Sequence, residues 1–153
     1  MLWCICINNE TSLEGDNQMN IDLKTIGFIR TDVTTVPRHW TISEVTGKIV
    51  IDEAYTQGIK DIQKGQDIMV IFYFHQSPEF TVNHLIQIPP HRDKQLGVFS
   101  TCSPIRPNPI GMSVLRVIDI EENVLYVKGL DMLDRTPILD IKPLTGLKKD
   151  TDL

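Results

Sequence analysis

Short apolar runs, rich in Val, Ile, Phe and Tyr and broken by turn-forming residues, recur along almost the whole chain. They fall at Thr25–Arg30, Lys48–Ile51, Asp67–Phe74, Leu85–Ile88, Leu96–Ser100, Ser113–Ile120, Val124–Lys128 and Ile138–Ile141. Such side chains fit a pleated, half-buried surface, and their close spacing predicts strands joined by short connections. Asp67-Ile-Met-Val-Ile-Phe-Tyr-Phe74 is almost continuously apolar and reads as the central strand. One helix is expected at Glu53–Gln63, where Ala54, Ile59 and Ile62 lie at near-helical steps. Glu121-Glu-Asn123, between two strands, reads as a hairpin turn. Many strands, one or two short helices and no βαβ alternation predict an all-β domain, a single small β-barrel or curled antiparallel sheet.

Composition bounds the remaining choices. At 153 residues, the chain is long enough to bury a single core without disulfide staples. Residues 1–20 open apolar and then turn polar without periodicity. They read as a disordered tail or an overextended start with Met19 as the true beginning, leaving a domain over 21–147 and a short tail over 148–153. The apolar start is far too short to span a membrane and lacks the basic lead of a signal peptide, so no membrane partner is expected. Cys4, Cys6 and Cys102 have neither the number nor the spacing of a disulfide framework or a zinc site, which suits a reducing cytoplasm. His75, His84 and His91 lie on different elements, unlike zinc ligands, and no metal is expected. The net charge of −5 lacks the usual basic footprint of a nucleic-acid binder. Arg92, Lys94, Arg106, Arg135, Lys142, Lys148 and Lys149 nevertheless gather near the motifs described next.

The segment Gly97-Val-Phe-Ser-Thr-Cys-Ser-Pro-Ile-Arg-Pro-Asn-Pro-Ile-Gly-Met112 carries three prolines, at 104, 107 and 109. Each fixes its own φ and pushes the preceding residue, here Ser103, Arg106 or Asn108, towards extended geometry. A polar loop with few conformations left to lose suits a binding site, although a rigid structural turn has the same composition. A second stretch, Leu130-Asp-Met-Leu-Asp-Arg-Thr-Pro-Ile-Leu-Asp-Ile-Lys-Pro143, sets Asp131, Asp134 and Asp140 around a turn. Aspartates beside turns often bond their own backbone; a paired carboxylate could equally act as a base or hold a sulfonium cation or a ribose. His75-Gln76 ends the apolar strand, where it could cap the rim of a barrel or position a ligand. Neither G-x-G-x-x-G nor a P-loop is present, so no nucleotide-type cofactor is indicated by motif.

In order and length the two stretches resemble the signature segments of the TrmO family (also called YaeB or TsaA-like proteins), with looser agreement at Ile26–Arg30 and Phe72–Gln76. The resemblance covers most of Ile26–Pro143. It implies a β-barrel methyltransferase that uses S-adenosylmethionine to methylate the exocyclic amine of threonylcarbamoyl-adenosine at position 37, beside the tRNA anticodon. It further implies cofactor contacts at Trp40, Thr41, Ile42, His75, Gln76, Cys102, Met112, Gly129, Leu130 and Asp131. Substrate contacts would fall at Arg106, Asn108, Arg135, Thr136 and Lys142, and the proton would be handled by Asp131, Asp134 or His75. The reaction would be an in-line displacement at the sulfonium methyl, with a homodimer gripping tRNA.

Three positions depart from the family pattern. Cys102 stands for an arginine, Arg135 for a glycine and Leu144 for a tyrosine. A thiol cannot replace a bidentate guanidinium, and Arg135 is expected to supply the missing charge from the neighbouring loop. Two further readings stay open: a methyltransferase with a different, small-molecule acceptor, and a domain that binds S-adenosylmethionine without transferring its methyl group.

Overall fold

The computed structural model describes residues 21–90 and 92–144, so Cys4, Cys6, His91, Lys148, Lys149 and both predicted tails lie outside the described residues. Six strands close a barrel in the order β1 (Gly27–Arg30), β2 (Thr46–Ile51), β7 (Val124–Lys128), β6 (Ile110–Glu121), β3 (Asp67–Tyr73) and β8 (Pro137–Pro143). β8 returns to pair with β1, and every pairing is antiparallel. A separate ribbon, β4 (Ile86–Gln87) with β5 (Leu96–Gly97), stands outside it.

Alternate residues of each strand fill the interior. Ile29, Ile49, Ile51, Ile68, Val70, Leu115, Leu125, Val127 and Ile138 are all essentially inaccessible. Burial of each such side chain contributes roughly 1.5–3 kcal/mol, and a barrel of this strand number has an interior that side chains can fill. Curvature comes partly from two register shifts. Leu139 is the extra residue where β8 passes Ile71 and Phe72, and Ile118 the extra residue where β6 passes β7. The β6–β7 hairpin turns at Glu122-Asn123, with Glu122 in the left-handed region and Asn123 donating to the Ile51 carbonyl at 2.5 Å.

Three sequence expectations change. The apolar run of β3 is not a central strand, because a closed barrel has neither centre nor edge. Its outward residues Met69 and Ile71 lie opposite Val114 and Met112 of β6 and make an apolar outer face instead. The helix expected at Glu53–Gln63 is a 3-10 segment, Glu53–Ile59, started by Asp52, whose carboxylate accepts from the Ala54 N–H at 3.1 Å. Thr56 and Gly58 are poor helix formers, and Ile59 is the segment's single buried residue, so little packing selects the α form. The strand expected at Leu96–Ser100 stops at Gly97; Val98–Ser100 form a 3-10 turn closed by Thr101, whose N–H and hydroxyl both donate to the Val98 carbonyl.

Candidate functional site

The proline-rich loop, Thr101–Pro109, runs directly into β6. The loop pairs with no strand, so its carbonyls find their partners in neighbouring groups. The Phe74 N–H donates to Pro109 O (2.7 Å), Ser77 Oγ to Pro104 O (2.8 Å) and Gln87 Nε2 to Ile105 O (2.7 Å). From within the loop, Arg106 Nη1 reaches Thr101 O at 3.3 Å. His75 and Gln76 are thus part of the turn between Phe74 and Ser77 that clasps the loop, their side chains 3.2 Å apart. Cys102 and Asn108 are exposed and Arg106 is half-buried. Gly111, two residues past the loop, lies under the rings of Phe72 and Phe74, where a Cβ would collide with both.

The second motif begins where β7 ends. Gly129 takes φ +94°, a backbone conformation favouring glycine, and turns the chain so that the N–H groups of Gly129 and Leu130 both donate to Val45 O (3.0 and 3.1 Å). Leu130 and Met132 point into the core, with Asp131 between them. Asp131 Oδ1 accepts from Ser113 Oγ of β6 at 2.6 Å. Burial pushes the Asp131 carboxyl above the usual carboxylate range; the Ser113 hydroxyl, backbone hydrogen bonding at Trp40 and the proximity of His39 pull the other way. Trp40–Ile42 form a 3-10 turn capped by His39, whose Nδ1 meets the Thr41 N–H (3.3 Å) and Thr41 Oγ1 (2.8 Å). The Trp40 ring stacks on His39 with centroids 5.3 Å apart, and Ile42 is 70% exposed. A cleft of about 420 Å³ opens beside this turn, lined by Trp40, Ser43, Val114 and Gly129 together with two ion pairs, Arg116–Asp67 and Lys128–Glu44.

The other sequence candidates divide. Met112 is half-exposed on the outer face of β6, the neighbour in sequence of the inward Ser113. Asp134 is engaged structurally: it accepts from the Thr31 N–H at 3.1 Å and stands 3.8 Å from both Arg30 and Arg135. Arg135, at φ +62°, is exposed and its guanidinium lies against Asp134, while its N–H donates to Ile29 O; neither contact is with the 101–109 loop it was expected to complement. Thr136, expected at the substrate, is turned inward and donates to Leu133 O at 2.8 Å. Lys142 lies apart, pairing with Asp140 at 2.7 Å on the rim of a second, apolar pocket whose other walls include Ile26, Ala54, Ile59 and Ile62.

Sequence reasoning missed Ser113 and Ser43. Ser113 had a readable signal, since alternation along Gly111-Met-Ser-Val-Leu-Arg-Val117 sets it on the same face as Leu115 and Val117. A lone hydroxyl in an apolar row invites the question of its partner.

The model of the tRNA-methyltransferase O N-terminal domain matches residues 29–148. The chain belongs to this family. An S-adenosyl-L-methionine-binding protein of Archaeoglobus fulgidus is 35% identical over 123 residues, which cover 78% of this chain and 86% of that protein. A tRNA (adenine(37)-N6)-methyltransferase of Mus musculus is 37% identical over 82 residues, 54% of this chain and 19% of that one. The crystal structure of TrmO from P. aeruginosa superposes with a TM-score of 0.70 at 27% identity, over 91% of this chain and 62% of that one. The chain spans 35% of the length of another Archaeoglobus fulgidus relative, 37% identical over 131 residues. The chain thus matches only a part of its longer relatives. Among the described residues no helix is long and apolar enough to cross a membrane.

Proposed function

We propose that this TrmO-family chain binds S-adenosylmethionine and transfers its methyl group to the exocyclic amine of adenosine-37 in tRNA, the base carrying a threonylcarbamoyl group. The observation that carries the reading is the meeting of both motifs on β6. The 101–109 loop feeds into this strand, and Asp131 hydrogen-bonds to Ser113 only four residues past Pro109. The residues fit the cofactor chemically. Asp131 is a carboxylate in a partly buried setting, suited to a cation; Trp40, Thr41 and Ile42 form a lip with an exposed apolar member; and the backbone at Gly129 and Leu130 is held rigidly. His75, Gln76, Cys102 and Met112 complete the proposed set.

When bound, the cofactor supplies an electrophilic methyl on a sulfonium. The chain's own contribution is to hold the partners in line and to take a proton from a weakly nucleophilic amine. Among Asp131, Asp134 and His75, Asp131 is favoured as the proton acceptor. Burial raises its carboxyl above the usual carboxylate range, whereas Asp134 is already occupied by Thr31, Arg30 and Arg135. Arg106, Asn108, Arg135 and Lys142 are the substrate-side groups of the proposal. A homodimer in the cytoplasm belongs to the same reading.

The test incubates the protein with methyl-labelled S-adenosylmethionine and tRNA from its own host, then separates nucleosides by mass spectrometry. Label in methylated threonylcarbamoyl-adenosine is expected, with tRNA affinity falling steeply as salt is raised. A second reading, transfer to a different acceptor, is favoured by the exposed thiol of Cys102 where an arginine was expected and by the engagement of Arg135 with Asp134. Cofactor binding with label on a small molecule would select it. Cofactor binding with no transfer would mark a binding domain.

A further inference from the structure

Among the described residues three polar side chains are buried, Ser43, Ser113 and Thr136, and all three hold one stretch of four residues. Ser43 donates to Leu130 O (2.5 Å), Ser113 to Asp131 Oδ1 (2.6 Å) and Thr136 to Leu133 O (2.8 Å). They come from three parts of the chain: the end of the Trp40–Ile42 turn, the middle of β6 and the lead into β8. Two of them satisfy main-chain carbonyls, as any irregular buried segment requires. Ser113 alone is spent on a titratable group.

Packing gives no reason for a hydroxyl at that position. Ser113 is inaccessible to solvent, and its companions on the inward face of β6 are Gly111, Leu115 and Val117. Alanine would leave the barrel interior without an unpartnered polar atom. Asp131, however, would lose a donor while remaining partly buried, with Leu130 and Met132 in the core on either side. The polar groups facing it are Ser113 from β6, and the Trp40 backbone and His39 from the 3-10 turn. Asp134, three residues on, is turned to Arg30, Thr31 and Arg135. An O–H donated to a carboxylate favours its charged form, opposing the effect of burial.

We infer that Ser113 is a positioning residue: its buried hydroxyl orients the Asp131 carboxyl and favours its charged form within the proposed site. The inference rests on the reading of Asp131 as a site residue given above, and it assigns a role to a side chain that is itself inaccessible to solvent.

The experiment follows the side-chain carboxyl carbon of Asp131 by NMR through a pH titration of the ligand-free, full-length protein, with Asp131→Asn to assign the signal. Parent, Ser113→Ala, Ser113→Cys and Ser43→Ala are compared. In Ser113→Ala the Asp131 titration is expected to move to higher pH, with a smaller move in Ser113→Cys, a weak donor of similar volume. Ser43→Ala, which loses a bond to the same segment at a main-chain carbonyl, is expected to lower the melting temperature and leave the titration in place. Calorimetry with S-adenosylmethionine at neutral pH should then give weaker affinity in Ser113→Ala, because a less well oriented and less readily charged carboxyl meets the cation. An unmoved titration in both Ser113 variants overturns the proposal, and so does a shift in Ser43→Ala as large as that in Ser113→Ala. If Ser113→Ala fails to fold, Ser113→Cys decides. A shifted titration in a protein whose parent binds no S-adenosylmethionine would leave the Ser113–Asp131 coupling standing and sink the methyl-transfer reading instead.

Discussion

Between Thr101 and Pro109 the chain lies at the surface, carries three prolines and is fastened through its carbonyls by Phe74, Ser77 and Gln87. Between Leu130 and Leu133 it has no proline, buries alternate side chains and is fastened by hydroxyls from three other segments. The first stretch has lost conformational freedom through covalent structure before any tertiary contact forms. The second acquires its shape only from the packed barrel. The proposed site, assembled from both, would combine an exposed, pre-shaped lip with a partly buried, tertiary-held carboxylate.

The comparison can be broken most sharply at Asp131. Asp131→Asn should keep the Ser113 bond and the fold, yet lower methyl transfer by roughly 10²–10⁴-fold if the carboxylate takes the amine proton. Its stability should move the other way. Because burial raises the folded carboxyl above its unfolded value, the parent binds the proton more tightly when folded and loses stability as pH rises through that window. Denaturant titrations from acid to neutral pH should show this contribution as the difference in slope between the parent and Asp131→Asn. Equal activity in the two proteins would remove Asp131 from the chemistry.

Gly111→Ala tests the join between the two regions. Its Cβ would strike the rings of Phe72 and Phe74, so destabilisation of about 1–3 kcal/mol is expected from chemical denaturation, together with loosening of the 101–109 loop. Pro107→Ala should cost less, roughly 0.4–1 kcal/mol, by freeing the unfolded chain, and should weaken ligand affinity because order is then imposed on binding. Undiminished affinity in Pro107→Ala would argue that the loop is rigid for structural reasons alone.

The smallest effect is expected at Arg135. A non-glycine residue at φ +62° carries about 1–2 kcal/mol of strain, against which glycine loses more chain entropy. Arg135→Gly should therefore change the melting temperature little or raise it slightly. A drop in tRNA or cofactor affinity in that variant would give the exposed guanidinium a function worth its strain; unchanged affinity would leave it as a partner of Asp134 only.

The hairpin of β6 and β7 and the rims of β1, β2, β3 and β8 were legible within a residue or three, because strand alternation and turn residues are local signals. The 3-10 form of Glu53–Ile59 was not, since apolar spacing alone does not distinguish it from an α-helix when little is buried. Within the site, the proline loop and the aspartates stood out by composition. The different roles of Asp131 and Asp134 did not: identical side chains three residues apart differ only in what other segments bring to them, a buried serine to one and two exposed arginines to the other.

The sequence by itself determined an all-β chain, the family it belongs to and the stiffness of its proline loop, since each depends on residues near one another along the chain. The tertiary structure decided that the barrel closes, that Thr136 turns inward while Arg135 stays out, and that Ser43, Ser113 and Thr136 converge on Leu130–Leu133. Those outcomes depend on contacts between residues far apart in the chain, such as Ser43 with Leu130, 87 positions away, and Gly27 with Ile138, further still, and local spacing carries no information about partners at that distance.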